Sequence, residues 1–90
     1  MELKRVVVTG LGAVTPVGNS PEETWQNLVA GKSGAAPITQ FDTTNFKTKF
    51  ACEVKNLNVC DYLDRKEVRK MDRYTQLAMI SAIQGVKDSG

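Results

Sequence analysis

Three groups of residues in this sequence have types that could do chemistry. They are the thiols Cys52 and Cys60, the glycines Gly10 and Gly12 behind a run of valines, and the cations Arg65, Lys66, Arg69, Lys70 and Arg73. Histidine is absent. Two thiols without histidine cannot complete a four-ligand zinc site, so no metal centre is predicted. A reactive thiolate needs a positive or helix-terminal environment. Cys52 instead falls on the apolar side of an alternating stretch, between Ala51 and Glu53. Both cysteines therefore read as packed or incidental free thiols of a reducing compartment. A disulfide would need an oxidising environment for which the residues give no support. No catalytic residue is assigned.

The pattern Gly10-x-Gly12 after a valine strand has the form of a dinucleotide-binding turn, in which a helix N-terminus holds a pyrophosphate. The detail excludes it. Thr15 stands where the third glycine belongs, Pro16 follows, and helix-start signals come only at Ser20. No nucleotide or other cofactor is predicted.

The basic residues are spaced for one helix face. At about 100° per residue, Arg65, Lys66, Arg69, Lys70 and Arg73 fall within an arc of roughly 140°, with Val68 and Met71 pointing elsewhere. Arg73 depends on the helix continuing through Asp72. Such a face either serves only as solvated surface or docks an acidic partner.

The elements that must position these residues follow from the pattern. Lys4 to Thr9 reads as a strand, since consecutive Val6, Val7 and Val8 suit a strand covered on both faces, central in a sheet. Gly10 to Asn19 is a constrained loop. Ser20-Pro21-Glu22-Glu23 combines a hydroxyl cap, a first-turn proline and a glutamate three residues after the cap, so a helix of about ten residues begins there. It carries Trp25, Leu28 and Val29 and ends at Gly31, suited to the left-handed C′ position. Gly31 to Phe46 has no period and reads as a long surface connection. Lys49 to Lys55 alternates, a half-exposed strand with Phe50, Cys52 and Val54 on its buried face. From Asp61 the pattern is a short charged helix and then a longer one, capped by Asp72 and ending near Gly90. Between Leu77 and Ile83 the second is apolar almost all round. Ala78, Ser81, Ala82 and Gly85 form a small-residue stripe that permits close helix contact.

A helix apolar on every side needs neighbours on every side, and 90 residues offer too few. A chain of this length would bury only a little over ~60% of its unfolded surface. Residues 1–90 are therefore expected to be the N-terminal segment of a larger domain. A hydrophobic share of 41% and a charged share of 24% place the chain among globular proteins rather than disordered ones. A net charge of +2 is too small for a general nucleic-acid or membrane binder. The longest apolar runs fall far short of the ~20 residues that cross a bilayer. Met1 to Arg5 leads into the strand without a signal-peptide pattern, so a cytoplasmic location is expected.

Taken whole, the sequence resembles a known family. The run Val6-Val7-Val8-Thr9-Gly10-Leu11-Gly12, then Thr15-Pro16-Val17-Gly18, Trp25 with Leu28, and Gly31-x-Ser33-Gly34 are similar to the opening of β-ketoacyl-acyl-carrier-protein synthases, particularly the synthase II type of dissociated fatty-acid synthesis. Phe41-Asp42, Lys49-Phe50-Ala51, Arg65-Lys66-Glu67, Arg69-Lys70-Met71-Asp72 and Asp88-Ser89-Gly90 continue the likeness in order. The resemblance implies an α/β, thiolase-like fold and a homodimeric condensing enzyme. In that family an acyl chain moves from carrier protein to a cysteine thiolate. Malonyl-carrier protein then loses carbon dioxide and attacks it, assisted by two histidines. All three of those residues belong to the family's sequence beyond the position of Gly90, so neither Cys52 nor Cys60 inherits the nucleophile's role. The resemblance also implies that Lys66, Arg69 and Lys70, with Arg65 beside them, lie at the surface that docks acyl carrier protein, loaded with acyl or malonyl groups.

Two other readings carry different consequences. One is a non-catalytic synthase-like partner of the chain-length-factor type. It is distinguished by the residue at the nucleophile position. The other is a self-sufficient small module that docks an acidic carrier protein through the Arg65 to Lys70 face. It would show a cooperative melt in isolation.

Overall fold

Ser20 and Pro21 open the first helix as their chemistry dictates. In the computed structural model, which describes residues 3–90, helix α1 spans Pro21–Val29. The Ser20 hydroxyl accepts the Glu23 amide at 3.2 Å, which satisfies one of the donors left free at a helix start. At the other end Gly31 adopts φ 72°. The Gly31 and Lys32 amides turn back onto the carbonyls of Leu28 (3.1 Å) and Asn27 (2.9 Å). This left-handed terminator closes the helix where the glycine allows it.

The aperiodic stretch after α1 contains a strand that sequence pattern does not reveal. Ala35–Pro37 (β1) pairs antiparallel with Phe50–Cys52 (β2), Ala36 opposite Ala51. At three residues each, alternation has no room to register. The expected burial of β2 is reversed: Phe50 and Cys52 are exposed and Ala51 is the more covered residue. The face was inferred from apolar character, but β1 supplies only a two-stranded ribbon with no layer against that side. Beyond the ribbon, Thr39 gives its amide and hydroxyl to Glu53 Oε1 at 3.1 and 3.0 Å.

A single 3₁₀ turn, Val59–Asp61, leads to α2, Arg65–Val68, and then to the long α3, Arg73–Ser89. Asp64 caps α2, accepting the Lys66 amide at 3.4 Å. Asp72 stands at the cap position of α3 without a side-chain hydrogen bond. Its carbonyl accepts the Gln76 amide, which begins the helix ladder.

Two elements were expected to be covered by the rest of a larger domain. Among the described residues Lys4 to Thr9 has no ladder partner, and Val6 and Val8 are 88% and 79% exposed. Strand character comes from a hydrogen-bonded neighbour, and neither free edge of the β1–β2 ribbon takes up these residues. The first two residues of the Met1 to Arg5 lead-in lie outside the described residues. Likewise α3 is open on its outer side within this chain. Ile80 is its one fully buried side chain, while Met79 and Val86 face outward. The radius of gyration is 16.5 Å, against about 12 Å for a compact domain of this length.

What packs against α3 is the glycine loop. The Leu11 amide donates to Asp88 Oδ2 (3.0 Å) and the Ala13 amide to Gln84 Oε1 (2.9 Å). Gln84 Nε2 in turn donates to the Asn19 carbonyl at 2.6 Å. Two residues of near-extended chain advance about 6.7 Å and four of helix about 6 Å, so alternate amides meet side chains four apart. The loop then turns tightly at Thr15–Gly18, the Thr15 amide donating to the Gly18 carbonyl at 2.7 Å. Thr15 and Thr24 share a hydroxyl contact at 3.0 Å, and Asn27 donates to the Val17 carbonyl. The Lys55 ammonium gathers three segments, donating to the carbonyls of Gly34 (2.6 Å), Glu53 (2.8 Å) and Pro16 (3.2 Å).

Two predictions follow from the caps and the ribbon. Ser20→Ala should destabilise the protein by about 1 kcal/mol through loss of the α1 cap, read as a lower melting temperature. An unchanged melting temperature would show that Ser20 does not cap. The Thr39 amide, before its hydroxyl, holds the Glu53 carboxyl below its ordinary value. A pKa lowered by folding contributes stability above the ordinary carboxylate value and loses it as pH falls through the folded one. Glu53→Gln should therefore lower the melting temperature at pH 7, with the gap closing as pH falls below about 4. A gap that does not change with pH would refute this.

Candidate functional site

The basic residues are grouped, though not on one continuous helix. Arg65 and Lys66 lie in α2, Arg69 is its C-cap, Lys70 sits in the following turn, and Arg73 opens α3. All five are exposed. The single-arc arrangement holds only as far as Arg69, because the helix breaks before Asp72. Arg73 therefore belongs to another element. The segment after α2 stays wound: Arg69 donates to the Arg65 carbonyl (3.3 Å), Lys70 to Glu67 (3.1 Å) and Met71 to Val68 (3.2 Å). The predicted set Arg65, Lys66, Arg69 and Lys70 thus lies within six successive positions of wound chain, and all four are exposed.

Gln76 holds this turn from α3, its Nε2 donating to the carbonyls of Val68 and Met71, both at 3.2 Å. Sequence pattern does not single it out. The only signal is a polar side chain just before the apolar Leu77 to Ile80 run. Gln84 and Asp88 were missed for the same reason, although they stand beside the small-residue stripe on its loop-facing side.

The two cysteines lie in different settings. Cys52 opens on a shallow groove whose other walls are Gln40, Glu53, Val54, Arg73 and Leu77. Cys60 lies in the 3₁₀ turn, its amide bound by the Asn58 side chain at 3.1 Å. Both are free and exposed rather than packed. Among the described residues no cluster of metal-ligating side chains occurs, and no helix is long and apolar enough to cross a membrane.

The glycine pair has a structural use. A Cβ on Gly12 would stand 1.8 Å from the Ser81 carbonyl oxygen, and one on Gly10 2.2 Å from that of Gly85. The small-residue stripe of α3 does receive a close neighbour, on its Ser81 and Gly85 side. That neighbour is the glycine loop's backbone rather than a helix. Ala78 and Ala82 remain exposed.

This geometry is matched elsewhere. The family model described as "Beta-ketoacyl synthase, N-terminal domain" matches residues 3–90. The chain belongs to the β-ketoacyl synthase family. It is 51% identical to 3-oxoacyl-[acyl-carrier-protein] synthase 2 of Coxiella burnetii over 90 residues, which are all of this chain and 22% of that protein. It is 46% identical to the synthase 2 of Staphylococcus aureus (strain COL) over 96% of this chain and 21% of the relative. Among solved structures, the ishigamide ketosynthase/chain length factor superposes with a TM-score of 0.86 at 38% identity, covering 93% of this chain and 21% of that one. The fold is the opening portion of the thiolase-like fold, as the resemblance implied. The chain spans about a fifth of the length of the relatives it matches.

In this family member, Gly12→Ala should be destabilising by about 1–3 kcal/mol, because the clash is with helix backbone that cannot rotate away. A melting temperature equal to the parent's would show that the loop does not rest on α3 as described.

Proposed function

We propose that this chain forms the N-terminal part of a β-ketoacyl-acyl-carrier-protein synthase, and that its own functional contribution is to dock the carrier protein. The whole enzyme condenses an enzyme-bound acyl thioester with malonyl-carrier protein, with loss of carbon dioxide, in fatty-acid elongation. Nucleophile and histidines come from the remainder of that fold. It works as a cytoplasmic homodimer and needs no cofactor. The observation that carries the reading is the exposed turn bearing Arg65, Lys66, Arg69 and Lys70 in a chain of this family. An acidic carrier helix is its electrostatic complement.

A second reading draws on the ketosynthase/chain length factor neighbour: a non-catalytic partner with the same fold. Cysteine at the nucleophile position of the whole protein supports the enzyme; another residue there supports the partner.

Reversing charge at Lys66 and Arg69 together (K66E/R69E) in the intact enzyme tests the docking role. Each exposed pair contributes only about 0.2–1 kcal/mol, but several act together. Electrostatic complementarity mainly raises the encounter rate. The expected result is a higher KM for carrier protein, mimicked in the unmutated enzyme by added salt, with active-site thiol labelling by a small electrophile unchanged. A folded double variant with unaltered affinity for carrier protein at low salt would refute docking here.

A further inference from the structure

Four residues of helix cannot hold a shape by themselves, because helix nucleation costs more than one turn of hydrogen bonds returns. Yet α2 has four, and two of the basic residues lie beyond its last helical position. The carbonyls at a helix end also lack partners within the helix. One side chain answers both needs, adding a second donor at the Val68 carbonyl beside the Met71 amide and supplying one at the Met71 carbonyl. The Gln76 amide nitrogen reaches the Val68 carbonyl, immediately before Arg69, and the Met71 carbonyl, immediately after Lys70. Its two hydrogens therefore bracket the Arg69–Lys70 pair. Gln76 is itself anchored, its backbone amide bonded to the Asp72 carbonyl at 3.1 Å in the first turn of α3. The basic turn is thus fixed to the long helix rather than to its own short one.

We propose that Gln76 is a positioning residue of the docking surface. By holding the backbone on both sides of Arg69 and Lys70, it presets the direction of their side chains, so that a partner need not order the turn as it binds. The inference rests on the docking reading above. It goes further in naming an uncharged residue, on a different helix, on which the cationic surface depends.

The test uses the intact enzyme with Gln76→Met, which keeps length and helix propensity and removes both donors. KM for carrier protein should rise about three- to tenfold, the effect of two modest hydrogen bonds, while kcat stays within about twofold. In an Arg69→Ala/Lys70→Ala background the same substitution should have no effect on KM, since nothing remains to position. A merely structural glutamine would lower the melting temperature and reduce turnover equally in both backgrounds. An unchanged KM for Gln76→Met, or an equal rise in both backgrounds, overturns the proposal. A measurement on the unmutated enzyme adds a check that does not depend on the variants folding. The amides of Lys70 and Met71 should be protected from hydrogen exchange to the degree of the first turn of α3, and exchange at the rate of free chain overturns the proposal. The two readings fail differently. If K66E/R69E leaves KM unchanged, docking itself is wrong. If it raises KM and Gln76→Met does not, only the role of Gln76 is lost.

Discussion

The contact between the Gly10–Ala13 backbone and the Ser81–Asp88 side of α3 is the constraint on which the rest of the structure depends. Backbone can approach a helix this closely only where the facing side chains are absent or small, and here Gly10 and Gly12 meet Ser81 and Gly85. Close approach strips water from the loop's amides, which then need acceptors. Asp88 and Gln84 provide them at matching intervals. The same glutamine passes the connection on to Asn19, one residue before the cap of α1, so the start of the first helix is referenced to the last.

From that seam the loop's remaining polar groups close on one another. Thr15 and Gly18 form the turn, Thr24 and Asn27 of α1 hold it, and Asn19 donates to the carbonyls of Lys55 and Asn56. Lys55 binds three carbonyls from separate stretches. An ammonium has three donors and no acceptor, so this lysine is spent on architecture and withdrawn from the basic surface. Among the described residues Ile80 is the one buried hydrophobic side chain, and what links these segments to one another is mainly polar contact. The apolar faces left open, the valine run and the outer side of α3, are of the kind that mark contact with further protein.

The cationic turn illustrates a division of labour. Charge is supplied by residues on a four-residue helix and the turn beyond it, and geometry by a glutamine on a seventeen-residue one. Long-range attraction needs little precision, whereas a fixed docking register needs a stiff support. Placing the support on α3, which also packs against the glycine loop, links the basic turn to the same seam that orders the N-terminal residues.

What the sequence alone determined is everything set within a few residues. The α1 cap at Ser20, its glycine terminator at Gly31, the break at Asp72, the extent of α3 and the clustering of Arg65, Lys66, Arg69 and Lys70 all follow from local propensity and hydrogen bonding. Family membership was also legible, because the motifs recur in order along the whole chain. Tertiary structure decided whatever requires a partner distant in sequence. Lys4 to Thr9 has strand-forming residues but no ladder to join. The burial sense of Phe50 and Cys52 depended on a layer that β1 does not supply, and β1 itself is too short to show a period. Gly10 and Gly12 were recognisable as permissive and as no dinucleotide turn, but only the placement of Ser81 and Gly85 opposite them shows that close helix contact is their use. Gln76, Gln84, Asp88 and Lys55 were undistinguished in the sequence for the same reason: a polar side chain's role is defined by the backbone group it reaches, and each of these reaches across a turn or between segments far apart in the chain.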